Sequence, residues 1–221
     1  MENQIVDGLI TDPLGVTRCA WCGVDADYQL YHDAEWGVPI NDDRVLFQKI
    51  CLEGFQAGLS WLTILRKRNN FIKLFDNFDF YKISNYTEND VDRLLKDSSI
   101  VRHKGKIKST INNALKAIEL RNEVGSIASF VWSFEPDQLH RPPVFDYSAS
   151  SKITQSIESI ALSKALKKRG WSFVGPTICY SFMQAMGIVN DHLIGCGRRN
   201  EIEKLRNNFK RPPEISFFND K

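Results

Sequence analysis

The stretch KGKIKSTINNALKAIELRN, from Lys104 to Asn122, decides the class of fold that the sequence predicts. Apolar residues recur along it at the spacings that place them on one face of a helix. They are Ile107, Ile111, Ala114, Leu115 and Ile118. A long helix with one apolar face needs neighbours to cover that face, so we expect a helical domain built around it.

Comparable patterns predict further helices on both sides of this stretch. Their bounds are Asp42 to Leu59, Trp61 to Phe75, Thr87 to Leu95, Ser126 to Phe134, Ile153 to Lys168 and Thr177 to Met186. The last is apolar nearly all round, which is typical of a buried central helix. No series of alternating strand patterns is visible, so the predicted fold class is all-α.

Composition limits the other possibilities. The chain has 221 residues, is 43% hydrophobic and 25% charged, and carries a net charge of +2. These values are ordinary for a globular protein and exclude disordered and fibrous classes. We expect a single domain at 18–199, of two packed helical lobes, between an N-terminal arm at 1–17 and a C-terminal tail at 200–221. Gly8, Pro13 and Gly15 are expected to break any element in the arm.

The apolar runs, the N-terminal residues and the cysteine count together favour a protein of the reduced cytoplasm. No run approaches the roughly 18 apolar residues of a membrane helix. Residues 1–17 contain no Lys or Arg, so they do not resemble a signal peptide. The five cysteines are odd in number and too few for a disulfide scaffold, which favours burial or metal binding instead.

Cysteine and histidine pairs occur near both ends of the domain. Cys19 and His32 lie near its start, and His192 and Cys196 near its end. A set of two Cys and two His is a common tetrahedral zinc site, and a closed set of four would be structural. The spacings match no standard zinc finger, so simple burial of these side chains is an equal alternative. Cys22 could also replace one of the ligands.

An acidic residue interrupts an apolar segment in the first third of the chain. Glu53 stands within ICLEGF, and aromatic residues crowd the same third: Trp21, Tyr28, Tyr31, Trp36 and Trp61. An unpaired carboxylate costs several kcal/mol to bury, so Glu53 lies at a rim, is paired, or meets a ligand. Gly54 and Gly58 would let something approach the backbone there. The plainer alternative is a solvent-facing Glu53 beside a purely structural aromatic core.

A basic turn precedes the long helix. Arg102, His103, Lys104, Lys106 and Lys108 surround Gly105. Cations beside the N–H groups of a helix start form a phosphate site. A solvated surface patch is the alternative reading of the same residues.

Several of these segments together resemble one family. They are CAW at 19–21, YQLYHDAEWG at 28–37, CLEGFQAGLSW at 51–61, IVRHKGKI at 100–107, LSKALKKRG at 162–170, FVG at 173–175, CYSFMQ at 179–184 and NDHLIGC at 190–196. In this order they resemble bacterial 3-methyladenine DNA glycosylase I, of the helix-hairpin-helix glycosylase superfamily. The resemblance covers about Arg18 to Cys196.

The resemblance implies a role for each matching residue. Cys19, His32, His192 and Cys196 would bind a structural Zn²⁺ that ties the two ends of the domain together. Glu53 would be the catalytic carboxylate that recognises the base, and the aromatic pocket would consist of Trp21, Tyr28, Tyr31 and Trp61. The residues contacting DNA would be Gly58, Leu59, Arg102, Lys104, Gly105 and Lys106.

The implied function is repair of alkylated DNA. A family member would flip 3-methyladenine out of duplex DNA and release it hydrolytically, leaving an abasic site. We expect the chain to be a monomer in the cytoplasm that acts at the nucleoid. The sequence lacks the Leu-Pro-Gly hairpin run and the clear aspartate of other helix-hairpin-helix glycosylases, so the resemblance assigns no residue as the general base. The alternatives are a lesion-binding protein without activity, a hydrolase with catalytic zinc, and a generic helical DNA-binding module.

Overall fold

The computed structural model of this chain describes residues 5–215. Its strands are β1 (Ile5–Val6), β2 (Leu9–Thr11) and β3 (Thr17–Cys19). Its helices are α1 (Ala26–Ala34), α2 (Asp43–Gln56), α3 (Trp61–Leu74), α4 (Phe80–Ile83), α5 (Glu88–Lys96), α6 (Lys104–Val124), α7 (Ile127–Trp132), α8 (Tyr147–Ser150), α9 (Ile157–Lys168), α10 (Pro176–Ala185) and α11 (Arg199–Asn208). Single 3-10 turns lie at Ala20–Cys22, Asp76–Phe78 and Gln138–His140.

The predicted helices are present, with their ends set by capping residues. Asp42 caps α2 by accepting hydrogen bonds from the N–H groups of Arg44 and Val45. Thr87 and Asp90 form the capping box of α5. The helix predicted from Ile153 starts later, at Ile157, because Ser156 provides its cap.

Helix α6 and the α2–α10 pair form the centre of the molecule. Helix α10 packs against α9 and α2, and α6 packs against α4, α2, α5 and α7. On α6 the predicted apolar face is shifted: Leu115 is 46% exposed, and Ala117 and Leu120 are buried. Burial of α10 agrees with the prediction from its apolar composition.

The all-α prediction is wrong at the N-terminus, where β1, β2 and β3 form a small antiparallel sheet. Val6 pairs with Leu9 and Ile5 with Ile10 across a two-residue turn. Asp7 and Gly8 form that turn with φ of 50° and 73°, and Asp-Gly is a strong hairpin signal. The expectation that Gly8 breaks regular structure was therefore also wrong.

The C-terminal segment begins as a docked helix. Ile202 of α11 is fully buried, and Arg206 and Arg211 both contact Glu135. Residues 1–4 and 216–221, parts of the predicted arm and tail, lie outside the described range. None of the helices within 5–215 combines the length and apolar character needed to cross a membrane.

Candidate active site and metal centre

A cavity of about 530 Å³ lies between elements from the N-terminal and C-terminal parts of the chain. Its walls come from β1 and its turn, the 3-10 turn at Ala20–Cys22, α1, α2, α3, α8 and α10, and from the segments after α1 and α10. They include Trp21, Tyr28, Tyr31, Glu53 and Trp61. The structure thus brings together every residue that the sequence places in the base pocket.

Glu53 is buried at this wall and is paired. Glu53 is only 4% exposed, and its Oε1 lies 2.9 Å from the ammonium of Lys49, one turn earlier on α2. Lys49 also donates a hydrogen bond to the Tyr31 hydroxyl at 2.7 Å. Its Nζ lies 3.3 Å from the centroid of the Trp61 ring. Burial lowers the pKa of Lys49 to about 8, although the charge of Glu53 opposes this shift.

Aromatic rings line the same cavity as the Glu53 carboxylate. The Trp21 ring centroid lies 5.2 Å from that of Tyr28 and 4.9 Å from that of Trp36, in edge-to-face arrangements. The Tyr31 and Trp61 centroids are 5.5 Å apart. Among residues 5–215, the buried indole N–H of Trp61 finds no hydrogen-bond partner. The pocket therefore offers stacking faces, a carboxylate acceptor and an unused donor to a planar polar ring.

A second carboxylate, Asp191, also lines the cavity. It is 4% exposed, and its Oδ2 accepts hydrogen bonds from the Tyr180 hydroxyl at 2.7 Å and Gln184 Nε2 at 2.8 Å. Its other oxygen is paired with Arg141. Because both oxygens already accept hydrogen bonds from protein donors, Asp191 is built into the wall as a structural anchor.

The Cys and His pairs from the two ends of the domain meet in one buried cluster. One ligand atom from each of Cys19, His32, His192 and Cys196 lies within 4.8 Å of the others. Cys196 Sγ is 3.5 Å from His32 Nε2 and 3.4 Å from His192 Nδ1. Zinc bonds of 2.0–2.3 Å would hold tetrahedral ligand atoms about 3.3–3.8 Å apart. The cluster therefore has the donor types of a zinc site, and the two Cys196 distances match its spacing, whereas Cys19 Sγ lies 4.0 Å from His192 Nδ1.

Outer contacts orient these side chains. His32 Nδ1 lies 2.7 Å from Asp33 Oδ1, and His192 Nε2 lies 3.1 Å from the Trp36 carbonyl oxygen. Such partners on the second ring nitrogen are usual for metal-binding histidines. Hydrogen bonds from Cys19, His192 and His32 lower the pKa of the Cys196 thiol, which favours the thiolate that metals bind.

The remaining cysteines lie outside this cluster. Cys22 is buried, with its sulfur 3.9 Å from the Gly23 carbonyl oxygen. Burial raises its pKa to about 11. Cys51 and Cys179 lie in the hydrophobic core.

The predicted DNA-contacting turns lie next to each other. Gly58 has a φ of 78° in the turn between α2 and α3, and Leu59 beside it is 42% exposed. Lys106 of α6 reaches this turn and donates hydrogen bonds to the carbonyls of Phe55 at 2.9 Å and Ala57 at 2.5 Å. Lys106 is buried, so it differs from the expected phosphate ligand and instead ties the basic turn to the end of α2.

The other residues of the basic turn are open to solvent. Arg102, Lys104 and Gly105 are exposed at the start of α6.

The missing side chain at Gly54 makes room for the protein itself. A Cβ at this position would lie 3.2 Å from Phe173 Cβ, so the loop that carries Phe173 approaches this backbone. Phe173 itself has a φ of 54°.

Residues 21–200 match the family model described as methyladenine glycosylase. The chain belongs to the methyladenine glycosylase family. This confirms the family that the sequence motifs indicate.

Relatives of this methyladenine glycosylase family member match over most of their length. DNA-3-methyladenine glycosylase 1 of Escherichia coli (strain K12) is 51% identical over 180 residues, 81% of this chain and 95% of that protein. DNA-3-methyladenine glycosylase of Haemophilus influenzae is 45% identical over 181 residues, 81% of this chain and 96% of that protein.

Solved structures agree with the fold. A crystal structure of 3-methyladenine DNA glycosylase I has a TM-score of 0.75 at 51% identity, covering 81% of this chain and 98% of that one. A structure of 3-methyladenine DNA glycosylase I from Staphylococcus aureus, solved for the structural basis of its 3-methyladenine recognition, has a TM-score of 0.77 at 35% identity. It covers 82% of this chain and 96% of that chain.

Two features of this family member were not predicted from the sequence. Lys49 stands four residues before Glu53, a spacing that pairs opposite charges on a helix, and this signal could have revealed it. The family match begins at residue 21, after all three strands. Ile5 and Gly8, from this preceding segment, nevertheless line the cavity. Short strands of two and three residues carry too little pattern to predict this.

Proposed function

We propose that this chain is a monofunctional DNA-3-methyladenine glycosylase of base-excision repair. It flips the alkylated nucleotide out of duplex DNA, hydrolyses the N-glycosidic bond and leaves an abasic site. The observation that carries this proposal is the buried Glu53 carboxylate set among the rings of Tyr31, Trp61 and Trp21 in a cavity large enough for a purine.

The pocket suits a methylated adenine for electrostatic reasons. An N3-methylated adenine in DNA carries a positive charge, and aromatic faces attract cations. Stacking on such rings contributes roughly 1–3 kcal/mol per base. Glu53 would accept hydrogen bonds from the polar edge of the base and distinguish it from unmodified bases.

The charge of the lesion also simplifies the chemistry. The base departs as a neutral molecule, so the enzyme needs little activation of the leaving group. Water then attacks an oxocarbenium-like sugar centre, the same charge problem that glycoside hydrolases meet. Asp191 is the second carboxylate of the cavity, but both of its oxygens are already hydrogen-bonded within the protein. We therefore propose that DNA phosphates, and not Asp191, stabilise this centre.

The exposed turns would hold the duplex. Leu59 lies at the tip of the α2–α3 turn and would fill the gap left by the flipped nucleotide. Arg102, Lys104 and the N–H of Gly105 would contact phosphates in a helix-hairpin-helix arrangement, positioning DNA without reading its sequence. We propose that the chain works as a monomer in the cytoplasm, on nucleoid DNA.

We propose a structural role for Zn²⁺ at Cys19, His32, His192 and Cys196. A metal with four protein ligands keeps no position for water. The ion would hold β3, α1 and the segment after α10 together. The 3-10 turn directly after β3 carries Trp21, α1 carries Tyr31, and the segment after α10 carries Asp191 of the pocket. The pocket residues, and not the metal, would then act on the base.

The test is incubation of the purified protein with methylated duplex DNA, followed by chromatography of the released bases. Free 3-methyladenine is the expected product, with no release from unmethylated DNA. A folded protein that binds methylated DNA tightly but releases no base would be a lesion-binding protein, and the proposal would be wrong.

A further inference from the structure

Lys49 is a buried cation at the centre of the candidate base pocket. Its Nζ contacts Glu53 at 2.9 Å, the Tyr31 hydroxyl at 2.7 Å and the face of the Trp61 ring at 3.3 Å from the centroid. The side chains of Lys49 and Glu53 are only 7% and 5% exposed. One ammonium group therefore touches the three groups that would surround the base.

We propose that Lys49 is a positioning residue for base recognition, which holds Glu53, Tyr31 and Trp61 in one arrangement and supplies the counter-charge of Glu53. This inference rests on the proposed function, because it concerns the same pocket. Lys49 does not line the cavity, so it would act through these neighbours.

Burying a charged group in the protein interior costs free energy. A carboxylate buried alone favours its neutral, protonated form, which is a poorer acceptor. A single counter-charge at hydrogen-bond distance reverses this preference. In addition, the Tyr31 oxygen accepts from Lys49, so the Tyr31 hydroxyl proton stays available to another acceptor.

Other charged groups near the pair are already neutralised. The groups that face it are Tyr28, Tyr31 and Glu35 from α1 and its end, Arg68 from α3, and Asp191 from the segment after α10. Arg68 is paired with Glu35 at 2.8 Å, and Asp191 is paired with Arg141. Within the described part of the chain, Lys49 is thus the counter-charge of Glu53.

The pair predicts a specific dependence on pH. The pKa of Lys49 is lowered to about 8 by burial, so the ammonium is present below that pH and is lost above it. Lys49→Met removes the cation but keeps an unbranched side chain. The variant lacks this cation at every pH, so its recognition of the base should be weaker than that of wild type below about pH 8, where the wild-type ammonium is present. At higher pH the wild-type lysine is itself neutral, and the two proteins should converge.

The experiment measures kcat/KM for release of 3-methyladenine from methylated duplex DNA by wild type and Lys49→Met between about pH 5.5 and pH 9.5. Quenching of tryptophan fluorescence by free 3-methyladenine provides a second readout over the same range. Ratios to wild type cancel the titration of the DNA and of the base. Lys116→Met is the matched control, because Lys116 forms an i,i+3 pair with Glu119 on α6, and we expect it to behave as wild type.

We expect Lys49→Met to be impaired about tenfold near pH 6, with the deficit shrinking toward none above pH 9. Lys49→Gln, which keeps a hydrogen-bond donor but not the charge, should follow the same course if the Met variant folds poorly. A deficit that is equal at every pH would show a merely structural role, and unimpaired variants would show none. Either result overturns the inference.

Failure of the proposed function would look different. A wild-type protein that binds free 3-methyladenine but releases no base from DNA disproves the glycosylase activity. Lys49 is then judged by the pH dependence of base binding alone. A wild-type protein that neither binds nor releases the base disproves both proposals.

Discussion

The substitution Glu53→Gln separates the charge of the pocket carboxylate from its shape. Glutamine is nearly isosteric and keeps one acceptor oxygen, but it cannot neutralise Lys49 and it adds an NH₂ donor. The expected result is a protein that keeps its fold and loses most of its preference for the methylated base.

The cost in stability follows from the Lys49 contact. Breaking a buried ion pair typically costs about 3–5 kcal/mol when the remaining charge stays buried. Lys49 can instead lose its proton, because its pKa is already lowered to about 8. At pH 7 deprotonation then costs at most one pKa unit, or about 1.4 kcal/mol. We therefore expect the melting temperature to fall by only about 3–5 °C.

The cost in activity should be larger. A hydrogen bond to a charged acceptor contributes about 1.5–3 kcal/mol. Its loss in the transition state for base release predicts a fall in kcat/KM of about 10- to 150-fold. The value should lie toward the lower end, because the glutamine oxygen still accepts one hydrogen bond.

The assay compares release of 3-methyladenine from methylated duplex DNA with release of unmodified adenine from the same DNA, alongside thermal melting. Glu119→Gln, at an exposed ion pair on α6, is the matched control and should behave as wild type. Unchanged release by a folded Glu53→Gln protein would refute the recognition role. A fall in melting temperature far beyond 5 °C would refute the argument that Lys49 loses its proton.

Three further variants test other parts of the site. Cys196→Ala should lose bound zinc and about 4 kcal/mol or more of stability; full metal content with an unchanged melting temperature would contradict a structural zinc. Leu59→Ala should slow base release from duplex DNA about tenfold without weakening binding of free 3-methyladenine, and equal losses in both would argue against gap filling. Lys104→Gln should make the slope of log K for DNA binding against log salt shallower by about 0.9, whereas an unchanged slope would exclude a phosphate contact.

Local signals account for what the sequence predicted well. The start of α5 at Thr87, where Thr87 and Asp90 form a capping box, and the presence of helix α6 depend on neighbouring residues, so both can be read directly from the chain. The meeting of Cys19 and His32 with His192 and Cys196 is not local. Spacing alone left it as one of two alternatives, and only the family resemblance favoured it.

Long-range contacts account for what the sequence missed. Gly54 has no side chain because Phe173, more than a hundred positions later, approaches its backbone. In the sequence Lys106 resembles every other cation of the basic turn. In the fold, the end of α2 lies within its reach, and the Phe55 carbonyl accepts a hydrogen bond from its ammonium group. At the N-terminus Asp7-Gly8 is a local signal for a hairpin turn. The strands on either side of it are too short to show an alternating pattern, so the sequence predicts a loose arm there instead.

The central claim is hydrolytic release of a methylated base, and one measurement tests it most directly. In a single reaction of the wild-type protein with methylated duplex DNA, free 3-methyladenine and abasic sites are both counted. The account predicts equal amounts of the two, with strands that break only after alkali treatment. Methylated DNA that is bound by the folded protein but yields neither product would contradict it.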